Sequence, residues 1–228
     1  MPMPTLAALL GEMRATPEAF LRHYRLDIAG GAAKASGVAT FRYANANQQD
    51  NETISMPGFT TGLSGLLGLQ KQRRLIKFMK VALPPKPAPD PATEFEAHYI
   101  AMTQAADGPA TTHVVVPGAG GPDIMLTSQL SGCGFGIGSP NGGGDRILSH
   151  IQPAVAGASV HGALTGGMGG GGTAATFEKD PNGGGRDYAG NNRATVIGVR
   201  NGTAWTFYAQ VYDTSQNNRE LFKVVRLN

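Results

Sequence analysis

The sequence is poor in cysteine, tryptophan and charge. Its 228 residues include one cysteine, one tryptophan and 15% charged side chains. A single cysteine cannot form an intramolecular disulfide or, by itself, a structural zinc site. No apolar run reaches the roughly 18 residues of a membrane-spanning helix, so we expect no membrane span. The cysteine, Cys133, is therefore either a small buried side chain or a nucleophile.

Strong basic character is also missing, and a classical secretory signal is not expected. Glu12 and Arg14 interrupt the apolar N-terminal stretch, and no basic segment precedes it, so a classical signal peptide is not predicted. The net charge is +3. Nucleic-acid-binding domains usually carry a denser cluster of basic residues than this mild excess indicates. One local cluster predicts either a solvated face or a docking surface for an acidic or RNA-associated partner; its members are Lys71, Arg73, Arg74, Lys77 and Lys80.

What the sequence has in excess is glycine, at 33 of 228 residues, which favours loops and short strands over long helices. Two short helices are nevertheless predicted near the N-terminus, the second over residues 17–25 behind Thr16 as N-cap. Leucines and basic residues mixed over 63–83 predict a further helix. The prolines at 84–91 predict an extended surface connector.

Alternating apolar and polar residues predict a β-rich remainder. We expect strands at 37–44, 94–103, 112–117, 124–130, 134–138, 146–151, 173–178, 194–200, 203–213 and 221–227. Asn201-Gly202 predicts a two-residue hairpin turn. Because long helical crossovers are absent here, the fold class is α+β: one domain over 1–228, a β-sandwich of mixed, mostly antiparallel sheets with peripheral helices.

The segment Ser131-Gly132-Cys133-Gly134 places the cysteine in a bend between strand-like runs. Glycine permits the sharp turn that brings backbone close to a ligand. The backbone N–H groups at Gly132 and Gly134 could then face a developing oxyanion. We therefore expect the thiol to be partly open to solvent.

His150 lies in the next strand-like run, so a hairpin return would bring its imidazole beside the Cys133 thiol. A neighbouring histidine can hold a cysteine as a thiolate–imidazolium pair. If the strand stays regular from Thr127 to Cys133, both side chains share one face. The threonine hydroxyl could then orient the imidazole.

Structural roles explain the same residues separately. A cysteine among glycines is more often a small buried side chain, and threonine is a good strand residue. His161 is an alternative base, and Asp145 and Asp123 are alternative orienting groups. His113 and His161 lack companions at metal-ligand spacing, so neither a metal nor an organic cofactor is predicted.

The order Thr-x5-Cys-x16-His, with Leu130-Ser131-Gly132-Cys133 around the cysteine, resembles the bacterial glutamine deamidases. That superfamily includes the cytotoxic necrotizing factor catalytic domain and the chemotaxis receptor deamidase, and the branch represented by Burkholderia lethal factor is the most similar. The likeness extends over about residues 120–212. It implies a sandwich of mixed sheets, with Cys133 as nucleophile, His150 as general base and acid, and Thr127 as the orienting group.

The resemblance also implies a biological role. It indicates a monomeric toxin or effector that converts a glutamine of a target protein to glutamate. We expect export without a classical signal peptide and action in the cytoplasm of a host or target cell, with the bacterial cytoplasm as the alternative. The alternative functions are a cysteine protease or amidase and a non-catalytic β-sandwich binding module.

Overall fold

The computed structural model of the chain describes residues 4–29, 35–43, 74–81, 89–180, 187–189, 192–213 and 221–228. The chain opens with two helices, α1 (Leu6–Ala15) and α2 (Pro17–His23). Thr5 caps α1 by accepting a hydrogen bond from the backbone N–H of Ala8. The buried residues of α1 form one apolar stripe, and this is the face that packs on the protein: Leu6, Leu9, Leu10 and Met13.

A large mixed sheet forms the centre of the molecule. In spatial order its strands are β1 (Tyr24–Ala29), β3 (Arg74–Lys80), β2 (Gly37–Tyr43), β4 (Glu94–Ile100), β7 (Ile124–Thr127), β13 (Asn192–Asn201), β14 (Ala204–Asp213) and β15 (Leu221–Arg226). The pairs β1–β3 and β4–β7 are parallel, and the other pairs are antiparallel.

A second sheet packs on the first. Its strands are β10 (Thr173–Phe177), β8 (Gly134–Gly138), β9 (Arg146–Gln152) and β5 (Thr103–Gln104), and β6 (His113–Val116) also pairs with β9. Two short strands, β11 (Lys179–Asp180) and β12 (Tyr188–Ala189), pair separately. Short helices α3 (Pro109–Thr112) and α4 (His161–Thr165) and two single 3₁₀ turns, Ala105–Asp107 and Gly169–Gly171, complete the described elements.

Apolar side chains divide these elements into layers. One core cluster joins α1 and α2 to the large sheet, through residues such as Leu9, Phe20 and Leu126. A second fills the space between the two sheets and includes Phe135 and Phe207. A third lies beneath α4, on the outer face of the second sheet. The α+β class predicted from the sequence, with mixed sheets and peripheral helices, is confirmed.

The helix predicted over 63–83 is wrong where the structure describes it. Arg74–Lys80 form strand β3, which is paired on both sides by β1 and β2, while residues 63–73 and 82–83 lie outside the described residues. Ile76 and Phe78 are buried at strand spacing. The local pattern suits either structure, and pairing with two distant strands decides for the strand.

The basic cluster is affected by the same correction. Lys77 and Lys80 are three positions apart, so they lie on opposite faces of β3. The Lys80 ammonium sits 4.4 Å from the centroid of the Tyr99 ring. Lys71 and Arg73 lie outside the described residues, as does most of the proline connector at 84–91. The described lysines therefore do not form the one-sided surface that a helix would present.

The predicted hairpin forms, but its turn is shifted by one residue. Asn201 pairs with Ala204, so Gly202 and Thr203 are the two central residues, rather than Asn201 and Gly202. Gly202 has φ +60°, a left-handed conformation that glycine adopts without steric cost. The glycine rather than the asparagine thus fixes the position of the turn.

Candidate active site

The segment from Thr127 to Cys133 crosses from one sheet to the other. Strand β7 ends at Thr127 in the large sheet, and β8 begins at Gly134 in the second sheet. Between them only Leu130 pairs, with Ala194. The expectation that Thr127 and Cys133 share one strand face is therefore wrong, because the chain bends at Ser131-Gly132. The two residues belong to facing sheets.

The hairpin return from Cys133 to His150 is present. Strands β8 and β9 are antiparallel, and Phe135 is opposite His150. Cys133 lies two positions before Phe135, so it shares the face of Phe135 and His150, which is the face of the inter-sheet core. Cys133 and His150 are then diagonal neighbours, for which backbone positions are about 7–8 Å apart. The register thus points both side chains into the space between the sheets, with no hydrogen bond between them.

His150 is completely buried, and neither ring nitrogen has a hydrogen-bond partner within the described part of the chain. Burial lowers the pKa of His150 from 6.5 to about 4. The backbone of Ile100 opposes this in part, without reaching hydrogen-bond geometry. The imidazole is therefore neutral at pH 7, and burial disfavours its protonated form.

Cys133 is also buried, with 2% of its surface exposed, so the expectation of a thiol open to solvent is wrong for this conformation. Burial raises the pKa of the Cys133 thiol, and hydrogen bonding to the backbone of Ser131 and Gly132 opposes this in part. With His150 neutral as well, the resting site holds a neutral thiol and a neutral imidazole. A standing thiolate–imidazolium pair does not fit this environment.

The hydroxyl of Thr127 is engaged by the backbone of β13. It donates to the carbonyl of Val196 and accepts from the Val196 N–H, both at 3.2 Å. Because the pairing of β7 with β13 ends at Leu126 opposite Ile197, these two bonds replace the next backbone pair of the ladder. The expected hydrogen bond from the Thr127 hydroxyl to His150 is absent from this conformation.

The two predicted oxyanion glycines have different environments. A methyl group at Gly132 would meet nothing within 4 Å, whereas one at Gly134 would lie 2.5 Å from Val160 Cγ2 and 2.8 Å from Leu164 Cδ1. Gly134 is thus needed for packing beneath α4. The backbone groups that approach the thiol belong to Gly132 and to Ser131, whereas the sequence predicted Gly132 and Gly134 as the oxyanion groups.

A surface cleft of about 520 Å³ lies beside the cysteine. Its walls are made of small side chains, backbone and one cation, and Cys133 contributes to them; the lining residues are Ser131, Gly132, Cys133, Gln152, Pro153, Ala154, Ala156, Gly157, Ala158 and Lys179. Lys179 donates to the carbonyl of Ser131 at 3.3 Å. Although the thiol is buried, Cys133 and its neighbours Ser131 and Gly132 therefore line a cleft that opens at the protein surface.

Glu178 and Tyr188 make hydrogen bonds to residues near the cleft. One carboxylate oxygen of Glu178 accepts from the Ser159 hydroxyl at 3.1 Å and the Val160 N–H at 3.2 Å, and the other lies 3.0 Å from His161 Nδ1. The Tyr188 hydroxyl donates to the carbonyl of Cys133 at 2.6 Å. Burial raises the pKa of Tyr188, so this phenol remains a donor. Sequence reasoning missed both residues, since neither has a local motif.

The alternative histidines and carboxylates lie elsewhere. His161 faces Glu178, and His113 contacts the Thr112 hydroxyl and the Leu164 carbonyl. Asp145 accepts from the backbone N–H of Gly118, and Asp123 pairs with Arg14. The part of the chain that the structure describes contains no group of three or more residues that could hold a metal ion.

Comparison of the sequence with protein-family models finds no match, and comparison with curated proteins finds none either. Among the described helices, none is long and apolar enough to cross a membrane.

Proposed function

We propose that this protein is a protein-glutamine deamidase with Cys133 as nucleophile and His150 as general base and acid. The observation that carries the proposal is the neutral imidazole of His150, which has no hydrogen-bond partner among the described residues and is the diagonal neighbour of the only cysteine. A buried polar group without a partner costs about 1–3 kcal/mol. Such groups concentrate at functional sites.

The first half-reaction forms a thioester. Cys133 Sγ attacks the side-chain carboxamide carbon of the target glutamine while its proton passes to His150. We assign stabilisation of the oxyanion to the backbone groups of Ser131 and Gly132 that approach the thiol. The imidazolium returns the proton to the departing nitrogen, the C–N bond breaks, and ammonia leaves.

Water completes the cycle. His150 takes a proton from the attacking water, the C–S bond of the thioester breaks, and the sulfur regains its proton. The target now carries glutamate in place of glutamine, a change of one negative charge. Thr127 has an indirect role in this proposal: its hydrogen bonds to the Val196 backbone hold the end of β7, in the sheet that faces Cys133 and His150. The proposed setting is an exported toxin or effector acting on a cytoplasmic protein of the target cell.

The burial of Cys133 favours a second candidate, a non-catalytic β-sandwich binding module. A small apolar environment around a lone cysteine is also what an inert core thiol has. The two functions are distinguished by whether the protein changes glutamine to glutamate in other proteins.

The test is peptide mass spectrometry of a host-cell lysate incubated with the purified protein. We expect one or a few glutamine-to-glutamate sites that appear with the wild type and with His161→Ala, the matched histidine control. These sites should be absent with Cys133→Ala and with His150→Ala. New peptide termini instead would identify a protease, and unchanged lysates with all four proteins would favour the binding module.

A further inference from the structure

Met102 is in direct contact with the thiol of Cys133. Its sulfur lies 3.3 Å from Cys133 Sγ. Met102 is 37% exposed, while Cys133 is 2% exposed. A partly exposed methionine side chain therefore lies directly against the buried sulfur that would react.

The backbone on both sides of Met102 is fixed. The Ala101 N–H donates to the Ser36 hydroxyl at 2.9 Å, and the Thr103 hydroxyl donates to the His150 carbonyl at 3.1 Å. Thr103 also pairs with Ile151 at the start of β5. Met102 thus joins a strand of the large sheet to a strand of the second sheet. Movement at this point is confined to the side chain.

Methionine is suited to such a movement. Its unbranched side chain has three rotatable bonds and a polarizable thioether that adapts to irregular surfaces. Because more than a third of Met102 is already in solvent, a change of its rotamer would not require the core between the sheets to open. The cost is a rotamer change rather than the unpacking of a buried residue.

We propose that Met102 is the access- and specificity-determining residue of the site. At rest its side chain covers the Cys133 thiol. When a target docks, the side chain turns aside and packs on the methylene groups of the entering glutamine. This second role rests on the proposed deamidase function, whereas the covering role does not. In this role Met102 recognises the unbranched methylene groups of the glutamine side chain. A flexible thioether packs against such groups more closely than a branched side chain would.

The covering role is tested by native alkylation with iodoacetamide, followed by intact-mass spectrometry. Because the chain has one cysteine, one adduct reports on Cys133 alone. We expect Met102→Ala to raise the alkylation rate by at least about tenfold, which corresponds to an activation free energy lower by about 1.4 kcal/mol. Met102→Leu should keep a rate near wild type. Met79→Ala is the matched control, since Met79 is also 37% exposed but lies on β3.

Global unfolding must be separated from local access. If alkylation requires global unfolding, its rate rises steeply as urea is added at low concentrations. If it requires only side-chain movement, its rate does not change in this way. Equal rates for Met102→Ala and wild type, or a rise that tracks urea-dependent unfolding, would overturn the proposal. If alkylation behaves as expected but no lysate glutamine is converted, the cover stands and the deamidase function fails.

On a converted target the specificity role has its own readout. Met102→Ala should raise KM while kcat is kept, because packing on the glutamine stem is lost but the reacting groups are untouched. Met102→Leu should restore part of the KM. A Met102→Ala variant with wild-type KM would contradict the specificity role.

Discussion

At the level of single residues, the environment of His150 is not accounted for by packing alone. The imidazole is fully buried, its two nitrogens lack partners among the described residues, and its pKa is lowered to about 4. An apolar side chain of similar size would avoid this cost. A general base, by contrast, needs a free nitrogen near the nucleophile, and the proposed function gives His150 this role as the diagonal neighbour of Cys133.

The lowered pKa of His150 makes stability depend on pH. In the unfolded chain the pKa is the ordinary 6.5, whereas in the folded chain it is about 4, so the unfolded state binds the proton first as pH falls. The contribution is complete above pH 6.5 and is lost on the way down to pH 4. Its size is about 3 kcal/mol.

This dependence is measured by urea unfolding between neutral pH and pH 4 of the wild type and His150→Leu. We expect the free energy of unfolding of the wild type to fall by about 3 kcal/mol more than that of the variant. Parallel curves for the two proteins would show that His150 is not buried in its neutral form.

Thr127 is expected to act on stability first and on catalysis second. Thr127→Val removes the hydroxyl that serves both the N–H and the carbonyl of Val196, and it leaves these buried groups unpaired. The free energy of unfolding should fall by about 1–3 kcal/mol, with Thr127→Ser closer to wild type. Deamidation should fall less in Thr127→Val than in His150→Ala. A stable but inactive Thr127→Val would instead make the hydroxyl a direct participant.

At the level of elements, β8 and β9 hold the site, and glycine keeps them close to α4. Gly134→Ala would place a methyl group against Val160 and Leu164, while Gly132→Ala would place one in open space. We expect Gly134→Ala to lower the free energy of unfolding by about 1–3 kcal/mol. Gly132→Ala should be near neutral by the same urea titration. Equal stabilities of the two variants would contradict the described packing of α4 on β8.

The sequence predicted the elements better than their partners. The predicted bounds of strand β8 match the observed ones, and the two predicted N-terminal helices are present, because both depend on local patterns. The predicted strand at 94–103 is in fact β4 and β5 in two different sheets, and the predicted strand at 124–130 ends at Thr127. Which sheet a segment joins is set by non-local pairing, and that information is not in the local alternation.

The candidate site follows the same division. Cys133 and His150 could be paired from the sequence because a hairpin return is a short-range feature. Met102 and Tyr188 could not, since they reach Cys133 only through the packing of separate strands. The burial of the thiol was missed for the same reason: a glycine bend indicates exposure locally, and the covering side chain comes from a distant position.

At the level of the whole molecule, the site depends on the stacking of two sheets. The large sheet supplies Thr127, the second sheet supplies Cys133 and His150, and the link between the sheets supplies Met102. The cleft opens beside this junction, with Lys179 at its wall. In the proposed function, a target glutamine enters beside this junction, where Met102 contacts the thiol.

The most direct test of this account is lysate deamidation carried out in heavy-oxygen water. Hydrolysis of a Cys133 thioester inserts one solvent oxygen into each new glutamate, which separates enzymatic products from glutamate already present. The account predicts labelled glutamate at specific glutamine positions with the wild type and none with Cys133→Ala. The same labelled sites with both proteins, or none with either, would contradict it.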